Sequence, residues 1–126
     1  MKTRDDLVKE IASLIVNNEN YVDKEWSSVS VTVRFDPPSI MKGGIMYLND
    51  DYISKPPVGF ELTKKMVELR DLMTKEEGNE WVVCLIKISA KTQSIDMDFE
   101  YEDVKRWKLI PTLDPDELRA YAMSIK

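Results

Sequence analysis

The spacing of hydrophobic and polar residues predicts two α-helices in the first two thirds of the chain. Between Thr3 and about Asn18 the apolar residues lie on one stripe of a helix, and Thr3 with Asp6 has the pattern of a capping box. A second stripe predicts a helix from about Phe60 to Glu77, which Gly78 ends. The two stripes consist of Leu7, Ile11, Leu14 and Ile15, and of Leu62, Met66, Leu69 and Met73.

Four further segments have the patterns of β-strands. From Trp26 to Phe35, apolar and polar residues alternate, which predicts one buried face and one face in contact with water. The segment from Trp81 to Ser89 is apolar on both faces, as expected in the middle of a sheet. Strands are also predicted from about Ile40 to Leu48, where Gly43-Gly44 invites a bulge or a close backbone approach, and from Ser94 to Tyr101. The polar residues of the first strand are Ser28, Ser30, Thr32 and Arg34.

The remaining segments complete the predicted order of elements. Residues 49–59 contain two prolines and are predicted to form a loop. Near the C-terminus, Asp114, Pro115 and Glu117 have the pattern of a helix start. The order α-β-β-α-β-β-α predicts an α+β fold, with a mainly antiparallel sheet of about four strands packed against helices. We expect a single globular domain over 1–126, with a core in 1–107 and a helical extension in 108–126. The stripe of the last helix is Leu118, Tyr121, Ala122 and Ile125.

The composition excludes several kinds of chemistry. The 126 residues include no histidine and one cysteine, Cys84, which lies in an apolar run and is expected to be an unreactive core residue. Histidine-dependent triads, ordinary zinc sites and disulfides within the chain are therefore excluded. No cofactor is expected. No apolar run approaches about 18 residues, so no membrane helix is expected, and the acidic N-terminus favours a cytoplasmic location.

Acidic residues are concentrated in one short segment. Residues 94–103 contain five acids and no base, and without them the chain has 18 acids and 18 bases. On a strand, alternate residues share a face, so the segment predicts an outward acidic row with an apolar row facing inward. The acidic row consists of Asp96, Asp98, Glu100 and Glu102, and Asp103 follows it. The inward row consists of Ile95, Met97, Phe99 and Tyr101.

This acidic row has three interpretations. Lysines of the neighbouring strand, such as Lys87 and Lys91, could pair with it in a solvated lattice that contributes little. It could instead be a docking face for a basic protein. As a third alternative, Asp96 and Asp98 could hold a divalent metal in an enzyme. A sequence pI near 4.8 argues against direct binding of nucleic acid.

A few aromatic residues are candidates for interface anchors, because aromatic side chains dominate binding hot spots. Trp81 begins an apolar strand and is expected in the core, whereas Trp107 lies outside any periodic segment and is expected to be exposed. The 49–59 loop offers a second contact region through Asp50, Asp51 and Tyr52. The other candidate anchor is Tyr47.

The organisation of the chain resembles the YezG-like antitoxin family. The resemblance depends on residues 11–15, Trp26, Glu80-Trp81 and the acidic aromatic segment 98–103, and it covers about residues 5 to 103. It implies a small cytosolic bacterial immunity protein of the contact-dependent growth inhibition type. Such a protein binds and neutralises a secreted toxin, often a nuclease, and needs no catalytic residues of its own.

The leading hypothesis is therefore an immunity protein, not an enzyme, that binds a basic toxin through its acidic surface. The expected contact residues are Asp96, Asp98, Glu100, Glu102, Asp103, Asp50, Asp51, Tyr52 and Trp107. No nucleic acid or membrane partner is expected. The alternatives are a metal-dependent enzyme that uses Asp96 and Asp98, and a structural adaptor that has no toxin partner and self-associates through its C-terminal helix.

Overall fold

A computed structural model describes residues 3–22, 24–37, 39–48, 52–90, 92 and 94–103. Within these ranges the elements are α1 (Arg4–Val16), β1 (Ser28–Asp36), β2 (Ser39–Tyr47), β3 (Tyr52–Ser54), α2 (Glu61–Glu77), β4 (Val83–Ser89) and β5 (Ser94–Glu100). None of the helices in these ranges has the length and apolar character needed to span a membrane.

The strands form one antiparallel sheet in the order β3-β2-β1-β4-β5. The predicted α+β class and antiparallel sheet are confirmed. The additional strand is β3, which lies in the segment predicted to be a loop and pairs with Ile45–Tyr47 of β2. It was missed because it is only three residues long and because Pro56 and Pro57 follow it closely, which an edge strand tolerates. The predicted C-terminal helix lies outside the described residues.

Both helices pack on the same face of the sheet. The predicted stripes of α1 and α2 supply buried residues to this core, as do the apolar positions of β1 and β4. Trp81 and Cys84 are fully buried, as expected. The fully buried core residues of this layer include Ile11, Ile15, Tyr21, Val29, Val31, Val33, Met66, Leu69 and Ile86.

The predicted helix ends are confirmed. The Thr3 side chain accepts a hydrogen bond from the Asp6 backbone N–H, and the Asp6 carboxylate accepts one from the Thr3 backbone N–H. This capping box satisfies two donors that a helix start leaves without partners. At the other helix, Gly78 has φ 82°, a left-handed conformation in which glycine ends α2 without steric strain.

Gly44 allows a close approach between β2 and the segment after β3. The β1–β2 pairing is continuous through this position, so there is no bulge. A Cβ atom on Gly44 would lie 2.6 Å from the Lys55 carbonyl oxygen and would overlap the Tyr21 hydroxyl. Of the two alternatives that the glycine pair suggested, the structure therefore shows the close approach.

The second face of β1 is buried, so the prediction that it contacts water is wrong. Ser30 and Thr32 are each 2% exposed and Arg34 is 7% exposed, although all three point away from the helices. The neighbours on the same face, such as Ile45 of β2 and Leu85 of β4, are buried as well. Alternation alone cannot distinguish a wet polar face from a covered one.

Candidate protein-interaction surface

The acidic residues lie at one edge of the sheet. In the described part of the chain β5 pairs on one side only, with β4. Asp96, Asp98 and Glu100 point to the face opposite the helices, because their neighbours Ile95, Met97 and Phe99 pack against the helix-side core. The strand ends at Glu100, so the prediction that Glu102 belongs to the row is wrong. Glu102 and Asp103 are exposed in the turn that follows.

Asp96 and Asp98 are the exposed members of the row, and Lys87 of the neighbouring strand is close to the row. Lys87 is directly opposite Asp96 in the β4–β5 pairing. Its Nζ atom is 3.6 Å from an Asp98 carboxylate oxygen, whose side chain is 56% exposed. This distance and exposure describe a solvated pair that stabilises the fold by about 0.2–1 kcal/mol at most. One predicted lysine partner is therefore present, while Lys91 lies outside the described residues.

Glu100 has a local structural role. Its Oε2 atom accepts hydrogen bonds from the backbone N–H groups of Tyr101, Glu102 and Asp103, at 3.1, 3.1 and 3.4 Å. A carboxylate that satisfies several backbone donors fixes the turn around it. Glu100 is also half-buried, unlike Asp96 and Asp98. It therefore holds the end of the acidic segment in place rather than presenting a charge to a partner.

Tyr101 connects the end of this segment to both helices. Its side chain reaches the helix side of the sheet, as predicted, but it is 37% exposed rather than buried. The hydroxyl donates a hydrogen bond to Glu77 at 2.8 Å, and the other Glu77 oxygen lies 2.9 Å from the Arg4 guanidinium. These two contacts lower the pKa of Glu77 below its usual value, the Tyr101 hydrogen bond most strongly.

The substitution Tyr101→Phe is expected to raise the pKa of Glu77 toward its ordinary value. The pKa of Glu77 is lower in the folded protein than in the unfolded one, so the ionised carboxylate stabilises the fold. This stability is present at neutral pH and is lost as the pH falls through the folded pKa. The variant should therefore lose less stability than the parent between about pH 5 and that folded pKa. The measurement is an NMR titration of the Glu77 carboxyl carbon, with acid unfolding monitored in parallel. Superimposable Glu77 titration curves would show that the hydroxyl has no such effect.

A polar hollow of about 260 Å³ lies beside Asp96. The buried hydroxyl of Ser28, in its lining, has no hydrogen-bond partner among the described residues. Other lining residues, such as Lys87 and Asp96, could form hydrogen bonds with a side chain inserted from outside. Its polar lining consists of Ser28, Ser30, Lys87, Ser89, Ser94 and Asp96.

An apolar groove of about 400 Å³ lies on the other face of the same edge. It runs between the end of α1 and the β4–β5 hairpin, and Trp26 forms part of its wall. The Trp26 Nε1 atom donates to the Tyr21 carbonyl oxygen at 3.0 Å, which fixes the ring. The sequence did not indicate this groove, because its walls come from segments that are far apart in the chain. The other apolar wall residues are Ala12, Val16, Ile88, Ala90 and Ile95.

The structure does not bring the second predicted contact region to the acidic row. Tyr52 begins β3, at the opposite edge of the sheet from β5 and roughly 19 Å away across four strand spacings. It is half-buried against Ile45 and Tyr47. Tyr47 is fully buried and is not an exposed anchor. Asp50, Asp51 and Trp107 lie outside the described residues.

The position of Lys87 bears on the metal alternative. A divalent cation held by Asp96 and Asp98 would be repelled by the Lys87 ammonium group, whose Nζ atom is 3.6 Å from an Asp98 carboxylate oxygen. Among the described residues, no group of three acidic or thiol side chains lies close enough together to hold a metal ion. A calorimetric titration with Mg²⁺ tests this alternative directly.

The edge of the sheet at β5 thus combines an exposed acidic row, a polar hollow and an apolar groove. A scan against protein-family models finds none that matches the chain, and a search of the curated proteins finds no match.

Proposed function

We propose that this protein is a cytoplasmic immunity protein that binds and neutralises a basic toxin domain at the β5 edge of its sheet. The observation that carries the proposal is the exposure of Asp96 and Asp98, side by side on an edge strand, with Lys87 alone close to them among the described residues. The resemblance to YezG-like antitoxins points in the same direction.

The charges at this edge favour a basic partner. Lys87 is one cation near two carboxylates, and its contact with Asp98 is long and solvated. Ammonium or guanidinium groups of a partner would form closer pairs and would exclude water from them, which strengthens each interaction. Nuclease toxins carry basic surfaces because they bind phosphate, so their surfaces complement this edge. Complementary charge also accelerates the encounter between the two proteins.

The groove beside Trp26 supplies the apolar contact area that the acidic row lacks. Charged pairs at the border of an interface contribute to specificity and association rate more than to affinity, whereas apolar anchors near its centre contribute most of the affinity. The groove lies on the helix side of β5 and the acids lie on the opposite side. A partner that contacts the edge therefore meets both, as in an interface with an apolar centre and a charged border.

The edge is also held in place before any partner binds. Phe99 packs on Trp81 with ring centroids 5.5 Å apart, and Glu100 and Tyr101 anchor the turn that follows. A surface that is already ordered loses little conformational entropy on binding. Charged edge strands also resist pairing with other chains, so the same acids keep the protein soluble when no partner is present.

The double substitution Asp96→Lys with Asp98→Lys is expected to weaken toxin binding at least about tenfold and to abolish protection of the host. The tagged protein is first used to capture its partner from the native host, and the captured toxin domain is then produced separately. Affinity is measured by calorimetry at two salt concentrations, and protection is measured as growth of cells that express the toxin. Glu100 is left unchanged, because it fixes the turn.

The matched control is Asp36→Lys with Asp71→Lys. Both aspartates are exposed and line neither the hollow nor the groove, and this pair changes the net charge by the same amount. The control should bind and protect like the parent. Equal binding by both double variants would remove the acidic row from the mechanism, and a captured partner with an acidic surface would contradict the charge argument.

A further inference from the structure

The side of β5 that faces away from β4 carries backbone groups with no strand beside them in the described part of the chain. The direction of these groups follows from the β1–β4 pairing, which continues past the end of β4. There the Ala90 N–H donates to the Ser27 carbonyl oxygen at 2.9 Å. Because the N–H and C=O groups of successive residues in a strand point to opposite sides, those of Ser89 point to β5.

The same alternation decides which residues of β5 form its outer edge. Ser94 lies opposite Ser89 in the β4–β5 pairing, so its backbone groups point to β4. The next residue, Ile95, therefore directs its N–H and C=O groups outward, as do Met97 and Phe99. We call these outward backbone groups of Ile95, Met97 and Phe99 the free edge of β5. An extended chain beside the free edge would satisfy these donors and acceptors.

The two faces beside the free edge differ in chemistry. Asp96 and Asp98 are exposed on the face opposite the helices. On the helix side, Ile95 is only partly buried and borders the apolar groove beside Trp26. Because side chains alternate along a strand, a segment paired here would place one set of side chains beside the acids and the other beside the groove. Building on the proposed function, we propose that the partner adds an extended segment of alternating basic and apolar residues to the free edge of β5.

The charges on β5 select such a segment over a second copy of this chain. Basic side chains opposite Asp96 and Asp98 would have Cβ atoms about 5 Å from those of the two acids, close enough for charged pairs. An antiparallel copy of β5 centred on Met97 would instead place Asp96 of each chain opposite Asp98 of the other. Like charges directly opposite each other are destabilising. The acids thus oppose self-pairing and admit a basic strand.

The probe for this pairing is the blocked peptide Val-Lys-Val-Lys-Val-Lys-Val, added to the full chain, and the readout is amide exchange by NMR. Without peptide, the amides of Ile95, Met97 and Phe99 should exchange quickly, whereas those of Asp96 and Asp98, which point to β4, should exchange slowly. The peptide at about 1 mM should slow the first group by at least about twofold, as half occupancy would. Unchanged exchange would overturn the proposal. Slow exchange of the first group without peptide would also overturn it, because the edge would already be paired.

Two N-methylated forms of the peptide provide a control of equal charge. In the proposed pairing the valines lie opposite Ile95, Met97 and Phe99, so their N–H groups point to β5 and those of the lysines point away. Methylation of the lysine nitrogens in the peptide backbone should therefore leave the protection unchanged. Methylation of an equal number of valine nitrogens should abolish it. Equal protection by the two forms would mean that charge alone holds the peptide, and would overturn the proposal.

A pair of substitutions transfers the test to the toxin domain captured from the host. Met97→Pro removes an outward N–H and no bond to β4, which an edge strand tolerates, whereas Met97→Ala keeps this N–H. The toxin domain should bind the proline variant at least about tenfold more weakly than the alanine variant. Slow exchange of the Asp96 and Asp98 amides in both variants verifies that β5 still pairs with β4.

The same toxin domain separates this proposal from the proposed function. On the unmodified chain it should slow exchange at Ile95, Met97 and Phe99. A toxin that requires Asp96 and Asp98 but leaves those three amides exchanging quickly would overturn the strand addition and leave the proposed function standing. A captured partner that slows the three amides but is not toxic to the host would have the opposite meaning.

Discussion

Replacing Trp81 by alanine is expected to lower the free energy of unfolding by about 3–5 kcal/mol, the usual cost of removing a buried tryptophan. Trp81 is fully buried and contacts two other rings, with centroid distances of 5.1 Å to Phe35 and 5.5 Å to Phe99. Its carbonyl oxygen accepts a hydrogen bond from Arg70 Nε at 2.7 Å, which ties α2 to the start of β4. The measurement is urea unfolding at neutral pH.

The matched control is Trp81→Phe, which should cost clearly less than the alanine variant. Phenylalanine keeps most of the contact with Phe35 and removes the Nε1–H group, which is buried without a hydrogen-bond partner in the described part of the chain. Deleting an unsatisfied polar group offsets part of the lost packing. Equal losses for the two variants would mean that the ring contacts contribute little. A loss below about 1 kcal/mol for alanine would contradict the burial.

Variants of Trp81 can affect partner binding indirectly, through the structure of the β5 edge. Phe99, its ring partner, lies in β5 between Asp98 and Glu100, so loosening Trp81 loosens the acidic edge. We therefore expect Trp81→Ala to weaken partner binding through disorder of the edge. The Asp96 and Asp98 substitutions should weaken it with little change in the unfolding midpoint, because both side chains are exposed. Comparing the two kinds of variant separates structural from direct effects.

The sequence predicted those elements that short-range patterns determine. α1 and α2 were located by apolar residues one turn apart and by the Thr3 cap, and the strands by alternation or by apolar runs. These signals are local, because neighbours in the element are neighbours in the chain. β3 was missed because three residues have no period of their own, and its pairing with Ile45–Tyr47 is a tertiary interaction.

The burial of the β1 face opposite the helices was missed for a different reason. Ser30, Thr32 and Arg34 are polar, as residues of a solvent-exposed face usually are, yet all three are buried. Their burial depends on what else the chain places against them. Tyr47 and Leu85 carried a weak signal, since each is a large apolar residue on the side assigned to water. Reading those positions together across neighbouring strands would have required the register, which the sequence alone did not provide.

The candidate site was predictable only in part. The acids of 94–103 are adjacent in the chain, so their concentration at one edge followed from composition and strand spacing. Their individual roles did not, because Glu100 accepts hydrogen bonds from the backbone of the next turn and Lys87 contacts Asp98. The groove at Trp26 was not predictable, because it joins α1 to a hairpin more than seventy residues later.

Gly44 is the position where the smallest change should have a large effect on stability. Its carbonyl oxygen accepts a hydrogen bond from the Lys55 N–H at 2.9 Å, so the two backbones lie in direct contact. The Tyr21 hydroxyl donates to the Lys55 carbonyl oxygen at 2.5 Å on the same side. A methyl group on residue 44 would occupy space that these atoms fill, 2.6 Å from that oxygen and 3.2 Å from the Pro56 Cα.

The substitution Gly44→Ala is therefore expected to lower the free energy of unfolding by about 3 kcal/mol, through overpacking and the weakened Tyr21 hydrogen bond. Urea unfolding measures the loss. In a Tyr21→Phe background the same substitution should cost less, because one of the two closest atoms is gone while the Lys55 oxygen remains. An equal cost in both backgrounds would show that the Tyr21 hydroxyl is not an obstacle, and a cost below about 1 kcal/mol would contradict the close approach itself.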